Sequence, residues 1–315
     1  MNTRILFITK LHNLTVNSEL NKGIQLGEGL RLTNNINQIS TLFNNENFIQ
    51  FIGKLEYLSL LGSCVVIREK KEKINPIPFE YKDTVALTFL ENSMRHIGGM
   101  DTFFWMVKDN CIYQENGFVD VIDYNGSYPV SNGINHYRSN SLGDKTTVES
   151  FSQHEIQEVI KYFTIYKTIS RSWNNRLNNY NFHAESNKIQ RFIYFLSQAR
   201  VQSYLPVRIL MYSSSIEALL TTKNNKGIKR QLGERVSKIL NHDYNELIHH
   251  AYQIRSNTVH GNKIDKKYHD FGLQQDVSQK LDELLRITFK EVLTNKNLLK
   301  LFTDVTDNDI DRFFQ

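Results

Sequence analysis

Two residues near the C-terminal end of the chain could together cleave a phosphodiester bond. Arg255 and His260 lie five positions apart in residues 251–261, where the apolar spacing predicts the end of an amphipathic helix and Gly261 is a stop signal. A guanidinium can clamp a phosphate, and an imidazole can move a proton near neutral pH. Together they form the minimal set of groups for cutting RNA without a metal.

The spacing alone is weak evidence, because a chain of this composition should contain an arginine and a following histidine separated by four to six residues about 1.4 times by chance. The sequence contains three such pairs: Arg176/His183, Arg235/His242 and Arg255/His260. The first lies in an Asn-rich stretch that predicts a loop, and the second straddles a predicted helix break. Only the third lies within one apolar-periodic segment closed by a glycine.

Helix geometry limits how this pair could act. Positions five apart on a regular helix point about 140° away from each other, so Arg255 and His260 cannot face one partner if the helix runs straight through His260. The helix could loosen at Thr258 and Val259, which are both β-branched. Alternatively, two copies of the helix could meet about a two-fold axis. We expect both.

Composition is ordinary for a globular protein, with 40% hydrophobic and 23% charged residues in 315. This length leaves room for two domains. No apolar run approaches the roughly 18 residues that span a bilayer, and the N-terminus turns polar too soon for a signal peptide. We therefore expect a cytoplasmic protein with no membrane partner. Cys64 and Cys111 are too few for a disulfide framework or a zinc cluster.

The net charge of +5 is unevenly distributed. Residues 171–240 contain 12 Lys and Arg against three Glu, whereas the C-terminal tail is acidic, with Asp304, Asp307, Asp309 and Asp311. A basic segment beside the candidate helix suits a polyanionic partner, although a solvated helix face is an equally good interpretation of the charge alone.

Residues 1–148 predict an α+β domain that is rich in short strands. Short β-branched or apolar runs predict strands at residues 5–8, 14–16, 24–26, 64–68, 102–107 and 118–122, with the last two forming a hairpin. A helix over residues 83–97 is expected to end at Gly98-Gly99, residues 48–61 are ambiguous, and the charged run at 68–73 predicts a hairpin end or an exposed loop. His96 and His136 are isolated histidines, for which a structural role outweighs a metal-binding one.

Residues 149–315 change to the period of helices. Ser152 and Glu155 form a capping box, and Pro206 suits the first turn of a later helix. Helices are predicted from residue 152 to about 166 and at residues 186–201, 206–220, 228–240, 244–259 and 273–293, with a short one to follow. Residues 221–227 form a basic loop. This pattern predicts a bundle of five or more helices.

Three segments of this bundle resemble the HEPN superfamily, and within it the Apea-like HEPN proteins. They are SIEALL at residues 215–220, IKRQLGER at 228–235 and YQIRSNTVHG at 252–261. The resemblance covers roughly residues 150–300, and the order of the segments makes it more specific than the Arg/His spacing.

The resemblance implies an all-α bundle that dimerises and brings both motif helices to one cleft. It implies a metal-independent endoribonuclease, without cofactor, that acts in anti-phage defence by abortive infection or as a toxin. RNA, either tRNA or mRNA, would be the substrate, a second copy of the chain would be a partner, and a phage-derived trigger or an antitoxin would be a further one.

By position in the motif, Arg255 and His260 would be the catalytic residues. Ser256 occupies the supporting place after the arginine, where the family more often has Asn, Asp or His, and Asn257 is the other candidate for that role. Glu217 matches a recurrent acidic position, first as a partner for a basic side chain and second as a site residue. RNA binding is predicted for the nearby cations, namely Lys223, Lys226, Lys229 and Arg230.

Other interpretations remain open. Arg255 and His260 could simply stabilise a helix C-terminus, with Arg255 paired to Glu217 or Asp265. The helical half could be a non-catalytic module that dimerises or binds RNA; a DNA-binding regulator is less well supported. A metal site is a further reading of four histidines, namely His242, His249, His250 and His269, although adjacent residues cannot share one helical face.

Overall fold

The computed structural model describes residues 3–73, 77–133, 137–169, 186–223, 227–303 and 306–315. Its packing divides the chain into two compact units. The N-terminal unit comprises Met1–Asp101, Asn110–Arg138 and Thr146–Ile160, and the C-terminal unit comprises Thr102–Asp109, Ser139–Lys145 and Lys161–Gln315. Strands dominate the first and helices the second, so the predicted α+β class is confirmed.

The N-terminal unit is built on an antiparallel sheet. The described strands of this unit are β1 Thr3–His12, β2 Leu14–Val16, β3 Ile24–Gly27, β4 Leu30–Thr33, β5 Val65–Glu72, β6 Tyr113–Asp123, β7 Gly126–Gly133 and β8 Glu149–Phe151. The six-stranded sheet has the order β3-β4-β5-β1-β6-β7, and β2 pairs with β8. Five of the six predicted strands are confirmed.

The charged run at residues 68–73 is not a hairpin end or a loop, as expected, because β5 continues through it to Glu72. The backbone of β5 pairs with the central strand β1 as far as Thr3, which lies opposite Glu72. The ladder to β1 supplies the hydrogen bonds of this segment, while its lysine side chains remain exposed.

Three short helices cover one face of this sheet: α1 Ile36–Leu42, α2 Glu46–Ile52 and α3 Lys54–Leu61. The ambiguous residues 48–61 are therefore mostly helical. Asn35 and Asn45 cap the first two helices by accepting backbone N–H bonds. Side chains from this face and these helices form one core, including Leu6, Ile8, Ile39, Phe48 and Ile67.

Helix α4, Phe79–Val107, overturns two predictions. It does not end at Gly98-Gly99, and residues 102–107 are helical and not the strand of a hairpin; β6 pairs instead with β7. A glycine inside a helix costs only about 1 kcal/mol. Gly98 also makes room for Gln114, which donates to the Met94 carbonyl at 2.7 Å and would lie 3.1 Å from an added Cβ.

The remaining helices of the described residues are α5 Gln153–Ile169, α6 Lys188–Arg200, α7 Leu205–Leu220, α8 Ile228–Leu240, α9 Asn245–Val259, α10 Phe271–Thr294, α11 Lys296–Thr303 and α12 Asp307–Phe314. The predicted helices of residues 149–315 are confirmed. The Ser152/Glu155 capping box and the proline in the first turn of α7 are present as predicted.

Helix α7 is central in the C-terminal unit because it packs against α6, α9 and α10. The Ser215 hydroxyl donates to the Phe192 carbonyl of α6 at 2.8 Å, and the Phe192 ring lies 4.8 Å from that of Phe289 in α10. This packing fixes α7 relative to α9, and these two helices contribute the candidate site residues Glu217, Arg255 and Asn257.

Candidate functional site

An ion pair joins the last turn of α7 to α9. The Nε atom of Arg255 lies 3.0 Å from Oε1 of Glu217, and its Nη2 donates to Oε2 at 3.0 Å. The guanidinium also lies over the ring of Tyr252, one helical turn earlier, with its carbon 5.0 Å from the ring centroid. The expectation that Glu217 partners a basic side chain is confirmed, and among the described residues Arg255 pairs with this carboxylate and not with Asp265.

The site is held in place by the apolar face of α9. Ile248, Ala251 and Ile254 are buried at helical spacing, and Arg255 follows Ile254 at the margin of this face. The side chain of Arg255 retains 23% of its exposure and that of Glu217 retains 17%. The side chain of Arg255 is therefore partly exposed, although its Nε atom is buried.

Burial raises the pKa of the Glu217 carboxyl above its ordinary value, while the Arg255 charge and the Tyr252 hydroxyl act in the opposite direction. Burial also raises the pKa of the Tyr252 phenol, and the nearby Glu217 carboxylate adds to that effect. Both pKa values are raised because the carboxylate and the phenol lie side by side in the partly buried contact between α7 and α9.

His260 lies at the exposed C-cap of α9, followed by Gly261 with φ of +64°. The expected loosening at Thr258 and Val259 does not occur. The His260 amide donates to the Ser256 carbonyl at 3.1 Å, and the Thr258 hydroxyl donates to the Ile254 carbonyl at 2.8 Å. Because the helical hydrogen bonding continues as far as the His260 amide, positions 255 and 260 lie on different sides of the helix within one chain.

Ser256 and Asn257, the two candidates for a supporting role, are half-buried. The Nδ2 atom of Asn257 is buried and has no hydrogen-bond partner among the described residues. Its backbone carbonyl accepts from Asn262 at 3.0 Å, which fixes the turn after the helix. Asn257 is thus the better placed of the two to take a new partner.

The structure separates the three Arg/His pairs. Arg235 is only 5% exposed, and its guanidinium donates to the Leu220 carbonyl and to the carboxylate of Asp311 in α12. It therefore holds the C-terminal helix and is not available to a ligand. Arg176 and His183 lie outside the described residues.

The predicted RNA-binding cations have different environments. Lys229 places its Nζ 2.7 Å from Nδ1 of His249 in α9, and Arg230, with 85% of its side chain exposed, pairs with Glu234 at 2.7 Å. The backbone amide of Lys223 donates to Asp307 of α12 at 3.0 Å. Lys226 lies outside the described residues.

The other histidines do not form a metal-binding cluster: no group of three or more His, Cys, Asp or Glu is placed to hold an ion within the described part of the chain. Of the two isolated histidines, His96 has a buried side chain whose Nε2 lies 3.2 Å from the Leu26 carbonyl oxygen, and His136 lies outside the described residues. His250 contacts the Tyr268 hydroxyl at 2.8 Å. Partial burial, followed by the charge of Lys229, lowers the pKa of His249.

Two features of this region were not predicted as parts of the site. The Tyr252 ring lies under Arg255, and the spacing of three residues on one helix is a signal that could have indicated it. The acidic tail forms helix α12, whose Asp307 lies 3.5 Å from Lys188 of α6. Charge alone could not identify these partners, which are more than 70 residues apart. Asp304 lies outside the described residues.

Comparisons with known proteins give no match: no family model, curated protein or solved structure corresponds to this chain. Among the described helices, none is both long enough and apolar enough to cross a membrane.

Proposed function

We propose that this protein is a metal-independent endoribonuclease of the HEPN type that acts as a dimer. The observation that carries the proposal is the end of α9. There a partly exposed arginine is oriented by Glu217, and an exposed histidine follows at the helix terminus. The basic side chains of α8, Lys229 and Arg230, supply positive charge on the same unit for a polyanion.

In the proposed reaction, His260 removes the proton from an RNA 2′-hydroxyl, and the resulting oxygen attacks the adjacent phosphorus. The bond from phosphorus to the 5′ oxygen breaks, and that oxygen takes up a proton. The products are a 2′,3′-cyclic phosphate and a 5′-hydroxyl end. Arg255 stabilises the charge that develops on the nonbridging oxygens.

A second copy of the chain is needed to complete this site. Because the helical hydrogen bonding of α9 extends to the His260 amide, positions 255 and 260 of one copy lie about 140° apart about the helix axis. Two copies of α9 meeting about a two-fold axis could place the arginine of one beside the histidine of the other. The second His260 could then protonate the departing 5′ oxygen.

The test is cleavage of total RNA by the purified chain in the presence of a chelator, with the new ends mapped. His260→Ala and Arg255→Ala should abolish cleavage, and the wild-type ends should be cyclic phosphates and 5′-hydroxyls. His242→Ala is the matched control, since this exposed histidine belongs to the pair whose arginine is buried. DNA of the same sequence should remain intact, because it lacks the attacking hydroxyl.

Two results would refute this proposal. One is full cleavage by His260→Ala, and the other is cleavage that requires a divalent metal. Sedimentation analysis should give a dimer for the wild type and for His260→Ala; an active monomer would contradict the two-copy site.

The second candidate is a non-catalytic module that dimerises or binds RNA. It is favoured by the ion pair itself, because Glu217 already pairs with Arg255 without any phosphate. Such a module would bind RNA without cutting it. Replacing Lys229 and Arg230 by Gln would then weaken binding and its salt dependence, and His260→Ala would change neither.

As a nuclease in the cytoplasm, the protein would serve anti-phage defence by abortive infection or act as a toxin on tRNA or mRNA. Such an activity has to be restrained. A phage-derived trigger or an antitoxin is the expected further partner, and a sensor or regulatory role is proposed for residues 1–148.

A further inference from the structure

A cleft of about 660 Å³ lies in the N-terminal unit, where helix α1 leaves part of the sheet uncovered. This volume is within the range of small-molecule sites. We call it the α1 cleft. The side chains that matter for its chemistry are Gln25, Arg31, Asn37, Gln38, Thr41 and Glu69.

The sheet register explains why this part of the face is polar and open. Arg31 of β4 lies opposite Gln25 of β3 on one side and opposite Ile67 of β5 on the other, so the three share one face. Ile67 belongs to the apolar core beneath α1, α2 and α3. Arg31 and Gln25 are the next residues across the sheet on this face, and both line the cleft.

Arg31 carries a positive charge that has no carboxylate partner among the described residues. With its amide oxygen turned towards the guanidinium, Gln25 accepts from Nη2 of Arg31 at 2.7 Å. The carboxylate of Glu69 on the cleft wall is already paired with Arg4 at 2.9 Å. The unbalanced charge in the α1 cleft is therefore positive.

Arg68 does not add to this charge, although its residue borders the cleft. Its guanidinium donates to the Ser93 hydroxyl at 3.1 Å and lies over the Phe89 ring, and both partners are on α4. Neighbouring residues of a strand point to opposite faces, so the side chain of Arg68 is directed to the other side of the sheet.

An acceptor atom on α1 is also without a partner. The Oε1 atom of Gln38 is buried and makes no hydrogen bond within the described residues. Asn35 fixes the start of α1. Its side-chain oxygen accepts a hydrogen bond from the backbone amide of Gln38 at 2.8 Å, and its Nδ2 donates to the carboxylate of Glu19 at 2.7 Å. A buried acceptor without a donor is costly unless a ligand or water supplies one.

We propose that the α1 cleft binds a small phosphorylated molecule that also carries hydroxyl or amine donors, the chemistry shared by sugar phosphates and nucleoside phosphates. Arg31 pairs with the phosphate, since a guanidinium offers parallel N–H donors to two of its oxygens. Gln38 accepts from a hydroxyl or amine of the ligand, and Asn37 and Thr41 line the same wall.

The test is calorimetric titration of the full chain with three probes: inorganic phosphate, a hexose phosphate and a nucleoside monophosphate. We expect one of the two organic phosphates to bind more tightly than inorganic phosphate. Arg31→Gln should weaken that binding about tenfold or more. Arg312→Gln, which makes the same charge change at a side chain that is 79% exposed in the other unit, should leave it unchanged.

A second variant tests the contribution of the part of the ligand that carries the hydroxyl or amine donors. Gln38→Leu should bring the affinity for the organic phosphate down to that for inorganic phosphate, and thermal unfolding will verify that both variants are folded. Equal affinity for all three probes would overturn the role of Gln38. No binding of any probe, or binding that survives Arg31→Gln, would overturn the site.

Discussion

The most buried carboxylate of the helical core predicts a measurable dependence of stability on pH. Asp282 of α10 is fully buried. Its Oδ1 accepts from the Trp105 indole and from the Tyr212 hydroxyl, each at 2.7 Å, and its Oδ2 accepts from Nε of Arg286 at 3.0 Å. All three donors hold the carboxylate in a place that excludes water.

Burial raises the pKa of Asp282 from 3.8 to about 6, and the negative charge of Asp109 adds to that shift against Arg286, Trp105 and Tyr212. Because the folded state has the higher pKa, it binds more protons than the unfolded chain at intermediate pH. Its contribution to stability therefore grows as pH falls through 6 and is lost as pH rises. Between pH 7.5 and pH 5 the gain is about 1.4 kcal/mol.

The assay is urea unfolding of the wild type and of Asp282→Asn at both pH values, followed by circular dichroism. Asn retains an acceptor but does not titrate, so the wild type should gain about 1.4 kcal/mol relative to the variant on acidification. Asp276→Asn, whose carboxylate on the same helix is 48% exposed, serves as the control variant. A difference that is constant with pH, or that shrinks on acidification, would refute the reasoning.

Three further substitutions test local contacts by urea unfolding. Ser152→Ala removes a helix cap and should cost about 1 kcal/mol, whereas an unchanged midpoint would mean that the cap is replaced by water. Gly117→Ala should cost about 1–3 kcal/mol because an added Cβ would lie 2.7 Å from the Met94 sulfur, and a stable variant would show that this core can relax. Glu217→Gln should cost about 1–2 kcal/mol because Arg255 loses its charged partner; no loss would show that solvent screens the pair.

The helices of residues 149–315 could be predicted because their signals are local. The capping pair at Ser152 and Glu155 lies within four residues, and Pro206 fixes the start of α7 by its own ring. Gly261 ends α9 because it adopts a positive φ that other residues avoid. Each signal acts between neighbours, so a single sequence contains it.

The wrong predictions concern segments whose structure depends on contacts with residues far away in the sequence. The charged end of β5 forms a strand only because β1 offers its backbone, more than 60 residues earlier in the chain. Helix α4 continues past Gly98 because Gln114 fills the space that a side chain would need. Arg235 is buried against Asp311, which lies 76 residues later in the chain, so local sequence could not predict its structural role.

The candidate site shows the same division. The position of Arg255 and His260 at a helix end follows from periodicity and a terminal glycine. The continuation of the helix to Val259 is accompanied by two hydrogen bonds, one from the Thr258 hydroxyl and one to the Ser256 carbonyl, which propensity alone does not indicate. The α1 cleft could not be foreseen, because it depends on the register that places Arg31 beside Gln25.

The Arg255–Glu217 pair sets the condition for any phosphate at the proposed nuclease site. A phosphate that accepts from the same N–H groups of Arg255 as Glu217 must displace this half-buried carboxylate. The displacement is costly because it leaves a buried charge unpaired. Glu217 can avoid that cost by taking up a proton, and burial has already raised its pKa in that direction. Alternatively, Arg255 can keep Glu217 on one edge and offer the remaining N–H groups to the phosphate, since a guanidinium has five. The second route preserves the orientation of the arginine, so Glu217 is better understood as a positioning residue than as a proton donor or acceptor.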